Sequence, residues 1–144
     1  VDARERTTVS QSSTAYDTRS EANGGCDPSG CTPALTRDES WDDDSRWSCS
    51  EQLNNIQCAI TYNFATAQDI GRLKIRFHKG DERVRSLTLS DNTGWQTTIT
   101  SSGTTSDYES FDIFTDETSW LTMEALDLGS SDWLSITEVQ FLVE

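Results

Sequence analysis

The chain has 144 residues, with 25 Asp and Glu against 11 Lys and Arg, for a formal charge of −14. That length fits one domain with one core. The charge excludes a general nucleic-acid binder, whose phosphate contacts need a net basic footprint, and no apolar run approaches the roughly 20 residues of a membrane-spanning helix.

The hydrophobic share is 33%, which is low, but five Trp, five Phe and three Tyr argue against disorder. The first 35 residues are Ser/Thr-rich and loop-like, with one or two strands expected. No stretch has the pattern of a signal peptide, so a secreted protein would be represented here by its mature or excised part. Four cysteines follow, Cys26, Cys31, Cys49 and Cys58, at C-x4-C and C-x8-C spacing. A zinc site would prefer C-x2-C spacing and a nearby His, and the only one is His78. Two disulfides between sequence neighbours, Cys26 with Cys31 and Cys49 with Cys58, in an oxidising compartment are therefore expected. Gly24 to Cys31 then reads as a stapled loop. Asp38 to Ser45 is dense in oxygen donors, which suits a hard cation. It lacks the EF-hand spacing, and on spacing alone it reads as a solvated acidic loop.

From Ala59 onward the chain alternates apolar and polar residues in strand-sized runs. The expected strands are Ala59 to Phe64, Ile70 to Phe77, Val84 to Ser90, Trp95 to Thr100, Tyr108 to Phe114, Trp120 to Leu126 and Ile136 to Val143. The second is the clearest: Leu73, Ile75 and Phe77 point one way, while Arg72, Lys74, Arg76 and His78 point the other. Gly80-Asp81 and Asp91 to Gly94 mark turns. No run shows a capped helical period. The fold class is all-β, an antiparallel sandwich, with residues 1 to 144 as one domain and 1 to 33 as its N-terminal part.

Arg72 to Arg85 holds six of the 11 basic residues. Arg presents a planar fork that matches a carboxylate at two points, so the segment reads equally as an anion site or as a solvent face that offsets nearby acids. Trp41, Trp95 and Trp133 fall in turns, where an indole can stack on a sugar ring; for any one of them, packing against the core is the simpler reading. Catalytic signatures are poor. His78 has no G-x-S-x-G partner, paired cysteines leave no thiol nucleophile, and a small sandwich gives little room for a substrate cleft. The chain reads as a binding module, not an enzyme.

Three segments carry a resemblance. Ser45-Arg46-Trp47-Ser48 behind an acidic loop, with Ile60 to Phe64, resembles the early part of a discoidin-type domain. Leu73 to Arg83 resembles the strand and loop "I-x-F-Y-K-G-D-x-R", and Asp132 to Phe141 resembles the closing strand "W-x-S-I-T-E-V". Together, over about residues 34 to 143, they resemble the family 32 carbohydrate-binding modules, in particular those attached to alginate lyases. The resemblance implies a discoidin-like jelly roll and a non-catalytic sugar-binding role within a larger secreted protein. It also implies a structural calcium held by Asp38, Ser45 and Glu138, with Asp42 or Asp43 able to replace Asp38 in a loop about two residues longer than usual. The sugar site would comprise His78, Lys79, Asp81, Arg83 and Trp133, joined by Trp41. For an acidic, alginate-like polysaccharide, Lys79 and Arg83 would meet the carboxylates and a Trp the sugar face. A lectin for galactose or an N-acetylhexosamine, or a protein and cell-surface adhesion module using Trp41, are the alternatives. Affinity is expected to be micromolar to millimolar, raised by avidity.

Overall fold

The computed structural model describes residues 13–17, 36, 46–50, 58–127 and 133–143. These form nine strands: β1 (Ser13–Asp17), β2 (Trp47–Ser50), β3 (Ala59–Gln68), β4 (Ile70–Phe77), β5 (Ser86–Asp91), β6 (Gln96–Thr100), β7 (Tyr108–Asp112), β8 (Thr118–Asp127) and β9 (Trp133–Val143). They make two antiparallel sheets, one ordered β1-β3-β8-β5-β6 and the other β2-β9-β4-β7. No helix among the described residues is long and apolar enough to cross a membrane.

The period of two decides which side of each strand is buried. In β4, Leu73, Ile75 and Phe77 are buried while Arg72, Lys74 and Arg76 are only partly covered. In β5, Leu87 and Leu89 face inward as expected. The sheets meet through Tyr62, Phe64 and Phe141, whose rings stand edge-to-face at 5.0 Å (Tyr62–Phe141) and 5.1 Å (Phe64–Phe141). That arrangement sets the positive edge of one ring on the negative face of the next. The Tyr62 hydroxyl is satisfied by Thr36 Oγ1 at 2.9 Å. The Cys49–Cys58 disulfide, with Cα atoms 6.0 Å apart, ties β2 in one sheet to the start of β3 in the other. Cys26 and Cys31 lie outside the described residues.

Boundaries differ from the sequence reading in physically simple ways. The strand beginning at Tyr108 stops at Asp112, because Ile113 N turns to Gly71 O and Phe114 takes a left-handed φ of 51°. The last strand starts three residues early, since Trp133 to Ser135 pair with β2. β2 itself was read only as part of a motif. It has four residues, too few for alternation to stand out, yet Trp47 and Cys49 are core residues and Ser48 faces away.

Phe141 is the hinge of the inter-sheet aromatic cluster. Phe141→Ala is expected to lower stability by about 3–5 kcal/mol in equilibrium urea unfolding; a loss under about 1 kcal/mol would mean that the sheets are held elsewhere.

Candidate functional site

The pairing of β4 with β9 brings the end of one strand against the start of the other. Phe77 lies opposite Ile136, whereas Arg76 lies opposite Glu138, so β9 carries one extra residue at Thr137. This bulge lets both Ser135 and Glu138 lie on the side away from the core. Past Phe77, His78 N still donates to Ser135 O at 3.0 Å. The chain then turns sharply. Lys79 takes φ 55°, and its carbonyl accepts from both Glu82 N (2.9 Å) and Arg83 N (3.0 Å). Gly80 is required there, because a Cβ would overlap the Thr105 carbonyl oxygen.

Arg85 holds this loop to the sheet. It is 4% exposed. Its Nε donates to the Trp133 carbonyl at 2.7 Å and its Nη1 to the Val84 carbonyl at 2.8 Å. Its backbone N–H donates to Ser101 Oγ at 2.8 Å and its carbonyl accepts from Ser101 N at 2.8 Å. One buried guanidinium thus positions the indole-bearing residue at the start of β9 relative to the β4–β5 loop.

The result is a cavity of about 180 Å³ on the outer side of the four-stranded sheet. Arg46 and Ser48 line it from β2 and its approach, His78, Lys79 and Arg83 from the β4–β5 loop, and Trp133 and Ser135 from β9. Three cations, an imidazole, two hydroxyls and an indole meet there, with no carboxylate among the described lining residues. Arg46 Nε donates to Ser48 Oγ at 3.2 Å, and Ser48 Oγ donates to Ser135 Oγ at 2.8 Å. Arg83 Nη1 is buried without a hydrogen-bond partner. Burial pushes the Arg83 guanidinium below the ordinary arginine range; the Glu82 carboxylate opposes this and the neighbouring Arg46 charge adds to it.

Of the sequence-predicted sugar residues, His78, Lys79, Arg83 and Trp133 converge on this cavity. Asp81 is exposed on the same loop and outside the lining. Trp41 lies outside the described residues, as do Asp38, Asp42, Asp43 and Ser45. Glu138 is 1% exposed on β9 opposite Arg76; among the described residues no three His, Cys, Asp or Glu side chains cluster. Trp95 packs against the core. The basic segment divides by role. Arg72 pairs with Asp112 at 3.0 Å on the sheet surface, Arg85 is structural, and Lys79 and Arg83 reach the cavity. Arg46, Ser48 and Ser135 were not predicted as site residues. They stand in the Arg-Trp-Ser and Trp-x-Ser motifs, but only the pairing Ser48↔Ser135 shows that they meet.

No protein-family model matches the chain, and no curated protein sequence does. Solved structures do. The family 32 module of AlyQ in complex with 4,5-unsaturated mannuronic acid is 24% identical, over 90% of this chain and 98% of that one, with a TM-score of 0.69. A truncated AlyQ chain with its alginate lyase domain matches over 92% of this chain and 34% of that chain. The Clostridium perfringens module CpGH89CBM32-5, in complex with GalNAc-β-1,3-galactose, is 11% identical over 95% and 100%, with a TM-score of 0.69. A pectin-binding module is 16% identical over 89% and 88%, with a TM-score of 0.68.

Arg85→Ala removes a buried cation and strands two carbonyl acceptors. It is expected to cost about 2–4 kcal/mol in chemical unfolding; a neutral result would show that Trp133 is held by other contacts.

Proposed function

Because the chain has the fold of the family 32 carbohydrate-binding modules, we infer that it is a non-catalytic sugar-binding module and that its ligand is an acidic saccharide. The observation that carries this is Arg83: a guanidinium with one amino group buried and lacking an acceptor, in a cavity that also presents Arg46 and Lys79 and, among the described residues, no carboxylate. A sugar carboxylate supplies the missing acceptor together with negative charge, and the guanidinium fork fits it at two points. Trp133, half-buried at the rim, offers a face for the apolar side of a pyranose. The AlyQ module is in complex with an unsaturated mannuronic acid and another neighbour binds pectin, which supports the acidic class. The CpGH89 module takes a neutral disaccharide, so the fold alone leaves the charge of the ligand to be tested.

The cavity is small, matched to one sugar unit at a time. With a chain charge of −14, long-range steering opposes a polyanion. Binding then rests on local contacts, helped by a Debye length of about 8 Å at physiological salt that screens the distant acids. Weak single-site affinity is the consequence, and a polymer or a multidomain parent would supply avidity. A place beside a catalytic domain in a secreted protein agrees with AlyQ, where the lyase is a separate domain, and with the Cys49–Cys58 disulfide.

A structural calcium belongs to the same proposal. Glu138 fits such a role as a nearly fully buried carboxylate fixed in a strand, a rigid oxygen donor of the kind calcium takes. Asp38 and Ser45 would complete the donor set, with Asp42 or Asp43 as substitutes for Asp38. Millimolar calcium is expected to raise the melting temperature by about 5 °C in wild type and not in Glu138→Gln; equal curves with calcium and with chelator would dispose of the ion.

The test of the ligand is calorimetric titration with mannuronate and galacturonate oligosaccharides beside galactose. Folding lowers the pKa of Arg83, so its charge costs stability throughout the range where the unfolded chain is also charged, which includes neutral pH. Removing or pairing the charge lifts that cost. Arg83→Gln is therefore expected to weaken uronate binding about tenfold or more while leaving the melting temperature of the free protein equal or higher. Galactose binding without uronate binding would replace this reading with a neutral-sugar lectin, and uronate binding unchanged in Arg83→Gln would remove Arg83 from the site.

A further inference from the structure

The cavity contains a hydrogen-bond chain with a defined direction. Arg46 Nε can only donate, and it donates to Ser48 Oγ at 3.2 Å. Ser48 Oγ, with a cation's N–H at its lone pair, donates its own proton to Ser135 Oγ at 2.8 Å. Ser135 Oγ is therefore already an acceptor, and its one remaining hydrogen has to be given away. Among the described residues nothing receives it. Ser135 is 5% exposed and lines the cavity. Arg83 lines the same cavity, and its Nη1 is buried and also without an acceptor. Two residues with committed donors, one neutral and one charged, thus line one small space that has no carboxylate among its described lining residues.

We propose that Ser135 is a specificity-determining residue, held as a hydrogen-bond donor by the Arg46–Ser48 relay so that it reads one carboxylate oxygen of the bound sugar while Arg83 takes the other. The inference rests on the acidic-saccharide reading above and adds a residue and a device to it. A serine hydroxyl in isolation turns to donate or accept as its neighbour requires, and so tells an anion from an alcohol poorly. Fixing its direction removes that freedom. A carboxylate, which only accepts, gains a charge-assisted bond; a sugar CH₂OH gains a weaker neutral one and brings Arg83 no negative charge. Arg46, a second cation beside Arg83, is 9% exposed, and its Nε is the origin of the polarity.

The test is calorimetric titration of the full chain with a mannuronate trisaccharide and with the same trisaccharide reduced from carboxylate to CH₂OH. Melting curves establish that each variant folds. Wild type is expected to prefer the acid by tenfold or more. Ser135→Ala should weaken the acid about tenfold and change the reduced sugar by less than about twofold. Ser135→Thr, which keeps the hydroxyl, should retain most of the preference. Ser48→Ala, which frees Ser135 to turn, should lose about half of it on a logarithmic scale. A wild type that prefers the acid beside a Ser135→Ala that prefers it equally would overturn the role of Ser135 and leave the acidic-saccharide reading standing. Equal weakening of both sugars in Ser135→Ala would make the residue a packing element and overturn the proposal as well. A wild type that shows no preference for the acid would overturn the acidic-saccharide reading, and this inference with it.

Discussion

The register of β4 on β9 is the constraint on which the site depends. Leu73, Ile75 and Phe77 can be buried only if they meet Phe141, Val139 and Ile136, and those contacts leave no freedom in how the two strands align. Everything at the cavity end follows from that alignment. His78 is delivered beside Ser135 and joined to it by a backbone bond, and the bulge at Thr137 presents Ser135 and Glu138 on the same outer side. β2 then adds Ser48 opposite Ser135. The core thus positions the polar groups, although none of them belongs to it.

The cationic cluster is a local exception in an acidic molecule. The Arg46 charge opposes that of Arg83, and burial disfavours the charged form of Arg83. The surrounding fold is arranged to hold them nonetheless. Arg46 is tied into the Ser48–Ser135 chain, and the loop bearing Arg83 is pinned by the doubly accepting Lys79 carbonyl and by Arg85. Lys79 itself sits in the left-handed region, where a side chain costs of the order of 1 kcal/mol. A left-handed Lys79 and a buried, unpartnered Arg83 amino group thus lie on one loop, which the fold holds in place.

Much of the fold is legible in the sequence. All seven strands read from Ala59 onward exist, since half-buried strands write their facing directly into the sequence as alternation. The short strand β2 was missed because four residues hold too few periods, and the end of β7 was misplaced because a left-handed Phe114 leaves no mark on apolar patterning. The basic segment was visible as composition, but its division among surface pair, structural clamp and cavity donor was not. Arg72, Arg83 and Arg85 look alike in sequence; Asp112, the open cavity and the Trp133 carbonyl are what distinguish them.

What the sequence by itself determined is therefore the all-β class, the facing of the strands, the Cys49–Cys58 pairing and the segment that carries the loop cations, because each is a local property of period, spacing or charge. What only the tertiary structure decided is the site. Arg46, Ser48, Arg83, Trp133 and Ser135 come from three separate stretches of chain, and their meeting is set by strand register. So is the direction of the hydrogen bonds between them, which depends on neighbours that are distant in sequence and adjacent only after the sheets have formed.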